Sequence, residues 1–179
     1  MRLYSGASTT FIEDATRNVI SEKLRQAFFD YYRYMPSPGE IQSWNNSLLR
    51  ISTVLEKSKL TDHGVMLEYQ LPLSSKRLDC MVCGQNEEGK DNAVIVELKQ
   101  WGKCQESIGD NEVMTYINGS NRNILHPSAQ VSYYRHYLED NQTVFYDGGN
   151  PVLAHSCAYL HNYFPEQDDV LFAAKFDGL

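Results

Sequence analysis

Four ionisable residues stand inside otherwise apolar stretches of this 179-residue chain. Glu68 lies in "GVMLEYQLPL" (64–73), Asp79 in "RLDCMVCG" (77–84), and Glu97 with Lys99 in "NAVIVELKQ" (92–100). A buried carboxylate is costly unless it is paired or bound to a metal. Three acids on three successive apolar runs define a hard, oxygen-rich cation site of the kind that suits Mg2+ or Mn2+. A lysine two residues from one of those acids can orient a water and offset developing negative charge. Together these are the requirements of metal-assisted phosphodiester hydrolysis. The reading selects Asp79 and Glu97 as ligands, the backbone carbonyl of Leu98 as a further donor, and Lys99 as the cation that positions water.

Each run has the length and composition of a β-strand, and a strand presents alternate residues on one face. Ala93, Ile95, Glu97 and Lys99 then point one way, and Val94, Val96 and Leu98 the other. Ahead of the strands, residues 8–34 read as one long helix, with Thr10 and Glu13 in capping-box spacing and Phe11, Ala15, Val19, Leu24, Phe28 and Tyr31 at helical intervals. A second helix follows "MPSPGE", with Ser37 as N-cap, Pro38 at its first position and a stripe of Ile41, Trp44, Leu48, Ile51 and Leu55. "QNEEGKD" is a polar hairpin loop between the second and third strands. "EVMTYING" (112–119) is a fourth strand candidate, "PSAQVSYYRHYLEDNQ" opens on Pro127 as a helix, and residues 151–163 alternate as a last strand. The order α-α-β-β-β-β-α-β, with two helices within 10–57 and sheet and helix within 64–179, indicates a single α/β domain with a mixed sheet.

Composition bounds the possibilities. No stretch of about 18 apolar residues or more is present, so a membrane span is not expected, and "MRLYSGASTTFIED" does not read as a signal peptide. Four cysteines (Cys80, Cys83, Cys104, Cys157) are too few for a disulfide framework, which favours a reduced cytoplasmic setting. Cys80 and Cys83, three apart on a strand, face opposite sides and cannot easily share a metal. A net charge of −7 argues against a freestanding, non-specific DNA-coating protein. It leaves room for an enzyme that needs a divalent metal and gains affinity from a partner.

Seventeen residues separate Asp79 from Glu97, and "RLD" (77–79) followed by "VELK" (96–99) resembles the PD-(D/E)XK nuclease superfamily. Leu78 stands where that motif usually has Pro. "QVSYY" supplies Gln130 and Tyr134, four apart on one helical face, which resembles the Q-x-x-x-Y helix of the RecB-like branch. "MRLYSG…FIED", "EIQSWNNSL", "LPLSSKRLD", "VIVELKQW" and "HPSAQVSYY" look like the N-terminal nuclease domain of bacterial proteins in which it precedes a Schlafen-like P-loop helicase or ATPase domain. The resemblance implies a restriction-endonuclease-type fold and a Mg2+- or Mn2+-dependent nuclease. It implies nucleic acid as substrate, DNA favoured over RNA, and action beside a helicase or ATPase in repair or phage defence. Gln130 and Tyr134 would lie near the substrate phosphate, Glu68 would complete the outer shell of the metal, and Glu40 would supply an acid from the helix before the sheet. No G-x-x-x-x-G-K-[ST] motif is present, so the chain reads as an excised domain or a standalone relative.

Plainer readings stand beside these. Glu97 and Lys99 could be an ion pair on an exposed edge, and Asp79 could pair with Arg77. Glu40 sits three residues after Ser37, where a glutamate caps a helix without doing chemistry. Lys76 and Arg77 are either solvated surface or phosphate contacts. Gln130 and Tyr134 could simply pack on the sheet, and His126 reads as a helix-start contact. Trp44 and Trp101 read as core, with Trp101 able to stack on a base if exposed. A homodimer is compatible with the fold. The contrasting class is a catalytically inactive nuclease-fold module that binds nucleic acid or assembles a complex.

Overall fold

The segment expected as one long helix is broken in two. In the computed structural model, which describes every residue except Asn118, α1 spans Ser8–Thr16 and α2 spans Ile20–Tyr32. Between them Asn18 takes φ 58°, a left-handed conformation that asparagine tolerates better than most residues. The redirection lets Phe11 and Ala15 on one helix and Ile20, Leu24 and Phe28 on the next enter the same core. The expected Thr10–Glu13 capping box is absent, because α1 begins earlier, after Ala7, with no side-chain cap. Glu13 instead meets Arg17 on the exposed surface at 2.7 Å.

Ser37 does cap the next helix, α3 (Pro38–Lys57). Its Oγ accepts from the Glu40 amide and the Glu40 carboxylate accepts from the Ser37 amide. Trp44, Leu48, Ile51 and Leu55 form its buried stripe, as their spacing predicts.

The three central strands appear where expected, as β2 (Gly64–Gln70), β3 (Arg77–Gln85) and β4 (Asp91–Lys99). A short strand that the sequence did not announce, β1 (Tyr4–Ala7), pairs antiparallel with β2. The crossover helix α4 (Pro127–Asn141) delivers β8 (Leu153–Leu160) parallel to β4. The result is an α/β fold around a five-stranded mixed sheet of order β1-β2-β3-β4-β8. Residues 112–119 were expected to extend this sheet. Of these, Glu112–Ile117 form β6 in a separate three-stranded sheet with β5 (Cys104–Glu106) and β7 (Ser120–Leu125), Gly119 lies in a turn, and Asn118 lies outside the described residues. β7 reads "SNRNIL" and has no alternating apolar pattern to reveal it.

Each face of the main sheet buries its own core. Val65, Leu67, Cys80, Val82 and Val96 pack against α1–α3, while Leu78, Met81, Ala93 and Ile95 pack against Val131, Tyr134 and Leu138 of α4. Cys80 and Cys83 belong to opposite faces, as their spacing requires. Trp101, Val113, Leu171 and Phe176 anchor the smaller sheet. Among the described residues, no helix is long and apolar enough to cross a membrane.

Candidate active site

The strand pairing is interrupted at the charged residues. The β3–β4 ladder runs from Gln85↔Asp91 to Cys80↔Val96 and goes no further towards Asp79 and Glu97. The β2–β3 pairs step from Leu67↔Cys80 to Tyr69↔Leu78, passing over Glu68 and Asp79. Glu68 has φ 51°, a left-handed conformation that is unfavourable for a residue with a long side chain and that concentrates at functional sites. Its consequence is visible in the packing. Leu67 faces α1–α3 while its neighbour but one, Tyr69, faces the α4 side, so the alternation of β2 slips at Glu68. The gap forms a cavity of about 230 Å³ lined by Glu68, Asp79, Glu97, Leu98 and Lys99 from the sheet and by Ser43, Trp44, Ser47 and Leu48 from α3.

Asp79 occupies the place the missing ladder leaves: its Oδ2 accepts a 2.7 Å hydrogen bond from the Leu98 amide. Glu97 is 3% exposed. Its Oε1 accepts from Lys99 Nζ at 2.5 Å and from Gln130 Nε2 at 2.6 Å, and the Gln130 Oε1 accepts from Lys99 Nζ at 3.1 Å. Gln130 Nε2 also donates to the Tyr134 hydroxyl at 3.0 Å. Glu97 and Lys99 are therefore no exposed-edge pair, since β4 lies between β3 and β8.

Burial raises the pKa of both cavity carboxylates at the centre. For Glu97 the Asp79 charge adds to burial, and for Asp79 the Leu98 amide and Lys99 only partly offset it. Each of the two acids perturbs the other's titration, so they ionise as an interacting pair rather than independently. Glu68 is pushed up to about 7, by burial first and the Asp79 charge second, although Arg77 and the Trp44 indole oppose the shift. Burial also raises Tyr134, with the Glu97 charge next, to about 12.

Glu40 and Arg77 stand behind this cavity rather than in it. Arg77 Nη2 meets Glu40 Oε1 at 2.6 Å and its Nε lies 3.3 Å from Glu68 Oε2, while Trp44 Nε1 donates to Glu68 Oε1 at 2.7 Å. Arg77 thus pairs with Glu40 and Glu68, not with Asp79. Burial would raise Glu40, but hydrogen bonds from Ser37 and Arg77 outweigh it and hold the carboxyl below its ordinary range. The cap and the contact to Arg77 coexist in one side chain. Lys76 is exposed, with its amide on Ser74 Oγ. Trp101 is buried, which removes it as a stacking surface, and Lys99 Nζ lies 5.5 Å from its ring centroid. His126 caps α4 by accepting from the Ser128 amide.

Sequence reasoning missed Ser43, Ser47, Gln100 and His161, which gather on the α3 side of the cavity. Ser43 and Ser47 carried a signal, polar residues four apart beside the Trp44 stripe. His161 carried none, because the parallel β4–β8 pairing alone brings it there.

The groups able to ligate a hard cation are Asp79 and Glu97, with Leu98 and Glu68 beside them. Among the described residues no three His, Cys, Asp or Glu side chains converge to hold an ion. The donor set nonetheless fits Mg2+ or Mn2+. All of it is oxygen, its acids lack enough positive partners, and Mg2+ commonly takes one or two carboxylates and completes its shell from water and phosphate. A larger hollow of about 540 Å³ lies on the α4 face among Met66, Met81, Val144 and Phe145 and includes none of these site residues. No protein family, no curated protein and no solved structure matches the chain.

Proposed function

We propose that the protein is a metal-dependent nuclease of PD-(D/E)XK type that hydrolyses phosphodiester bonds of nucleic acid, DNA in the first instance. The observation that carries this reading is the cavity that brings Glu97 and Lys99 together with Asp79, the first two clamped by Gln130 in a hydrogen-bonded triangle. A solvated ion pair needs neither a second carboxylate in contact nor an amide clamping both partners.

Asp79 and Glu97, with the Leu98 carbonyl, would hold Mg2+ or Mn2+, which supplies Lewis acidity at the phosphoryl oxygen and a more acidic water. Lys99 has three N–H donors, and two are engaged by Glu97 and Gln130. The third remains to hold a water or a phosphate oxygen and to offset the charge built up there. Both amide hydrogens of Gln130 are committed, to Glu97 and to Tyr134. Gln130 therefore acts by fixing the orientation of Glu97 and Lys99, and Tyr134, buried against the sheet, acts by holding Gln130 in place. Glu68, held by Trp44 and Arg77, adds negative potential that favours cation binding.

The likeness to motor-associated nuclease domains extends the proposal to an ATPase or helicase partner and to work in repair or phage defence. A paired arrangement of two such sites would allow both strands of a duplex to be cut. The test is cleavage of plasmid, linear duplex, single-stranded DNA and RNA in Mg2+, Mn2+ and EDTA, with Glu97→Ala and Lys99→Ala beside the wild type. Metal-dependent cutting lost in both variants supports the nuclease. Calorimetry showing no metal binding, together with no cutting of any substrate, overturns it in favour of the inactive module.

A further inference from the structure

On its α3 side the cavity continues into residues that carry no carboxylate. Ser43 and Ser47 line the cavity itself. Gln100, next in sequence to Lys99, lies 3.0 Å from Ser43 Oγ and 3.1 Å from Ser47 Oγ through its Nε2, and its Oε1 accepts from Asn46 Nδ2 at 3.1 Å. Ser47 Oγ is 3.0 Å from His161 Nε2, and the His161 amide donates to the Lys99 carbonyl. Arg50 stands seven residues after Ser43 on α3, exposed and without a salt-bridge partner among the described residues. Burial holds His161 below the ordinary histidine range; the hydrogen bond with Asn162 opposes that shift, and the Arg50 charge adds a smaller lowering. Ser43, Asn46, Ser47 and Arg50 share one helical face.

The absence of acid here is long in sequence terms. Residues 41–55 of α3, 98–105 after Glu97 and 151–165 through the end of β8 contain no Asp or Glu, in a chain with 23 of them. These three segments meet at this one place. A polyanion approaching a chain of net charge −7, with Glu68, Asp79 and Glu97 in its cavity, meets no carboxylate from these three segments.

We infer that Ser43, Asn46 and Arg50, held in place from behind by Gln100, Ser47 and His161, form a track that seats the sugar–phosphate backbone of a nucleic-acid strand beside the bond to be cut. The inference rests on the nuclease reading. The donors left free are the Ser43 hydroxyl, the second amide hydrogen of Asn46 and the Arg50 guanidinium, which suit phosphate and sugar oxygens. Backbone contacts of this kind carry no sequence information, so the track binds without sequence preference. Gln100 is held by four atoms of α3 and so fixes Ser43 and Asn46 before substrate arrives, which lowers the entropic cost of binding. With one arginine supplying the charge, binding depends only weakly on salt.

The test is fluorescence anisotropy with labelled single-stranded and duplex oligonucleotides in Ca2+, for wild type, Arg50→Glu, Asn46→Asp and Lys57→Glu. Lys57 is exposed on the same helix, seven residues beyond Arg50, and controls for bulk charge. Arg50→Glu and Asn46→Asp should each weaken binding about tenfold while Lys57→Glu stays within about twofold, and Arg50→Ala should reduce the magnitude of the salt slope by about one. Thermal melts of these exposed-site variants should match the wild type. Wild-type affinity in both track variants overturns the track and leaves the nuclease reading standing, as does an equal loss in Lys57→Glu. A wild type that binds neither oligonucleotide also overturns the track, and the cleavage panel then decides the nuclease reading separately.

Discussion

Removing divalent metal should make the protein less stable as pH rises, and restoring it should matter more at high pH. Glu68 titrates near 7 in the fold against an ordinary 4.5. A folded state that holds its proton more tightly than the unfolded chain loses stability as pH climbs from the unfolded pKa through the folded one. The shift of roughly 2.5 units corresponds to about 3 kcal/mol at 1.36 kcal/mol per unit, lost between about pH 4.5 and 7 and fully absent above that. Asp79 and Glu97 are raised in the same sense, so the loss continues into the alkaline range. Burial holds His126 and His161 neutral, which pulls stability the other way below about pH 6.5, so the clean window lies above it. For a domain of this size 1 kcal/mol moves Tm by about 2–4 °C. Melts in EDTA should therefore fall between pH 6.5 and 8.5, through the last part of the Glu68 loss and the continuing loss at Asp79 and Glu97, and Mg2+ or Mn2+ should recover more of the loss at pH 8.5 than at 6.5. A flat or rising Tm in EDTA over this window, or a metal effect equal at both ends, would refute the reading of these acids as an unneutralised cluster.

Glu97→Gln keeps an acceptor for Lys99 and Gln130 and offers Asp79 an amide hydrogen. It should match or exceed wild-type stability in EDTA at pH 8 while cleavage falls by about a thousandfold or more, read by paired melts and gel assays. Lys99→Arg should not restore what Lys99→Ala loses, since a guanidinium fork cannot replace an ammonium clamped between Glu97 and Gln130. Trp44→Phe removes the indole donor to Glu68; a cost of about 1–3 kcal/mol is expected by chemical denaturation, larger at pH 8 than at pH 6 because protonated Glu68 needs the donor less. Arg77→Met strands Glu40 and Glu68 and should destabilise by about 2 kcal/mol or more, again with the larger loss at high pH.

The strand runs, and their faces up to the slips at Glu68 and Asp79, were legible because local rules decide them. A period of two placed Glu97 on the face of Ile95, and the same arithmetic separated Cys80 from Cys83. Ser37, Pro38 and Glu40 announced α3 because a cap is a contact between residues three apart. Gln130 and Tyr134 shared a helical face for the same reason. What depended on partners distant in sequence was not legible. The kink at Asn18 serves a core that Phe11 and Phe28 enter from different helices, β1 exists because β2 lends it a ladder, and β7 has no periodic signal at all.

The site divides along the same line. Residue types named Asp79, Glu97 and Lys99, but only the sheet could show that the β3–β4 ladder ends at Cys80↔Val96 and opens a cavity at their position. Only packing could turn Arg77 from Asp79 towards Glu40 and Glu68, because those two acids lie 37 and 9 residues before it in the chain. The α3-side track is assembled by the parallel pairing of β4 with β8, which sets His161 beside the Lys99 backbone across more than sixty residues of intervening chain. Sequence determined which side chains could do chemistry, through spacing and burial cost. Tertiary structure decided which of them meet, because long-range contacts are set by how whole elements pack and leave no local pattern to read.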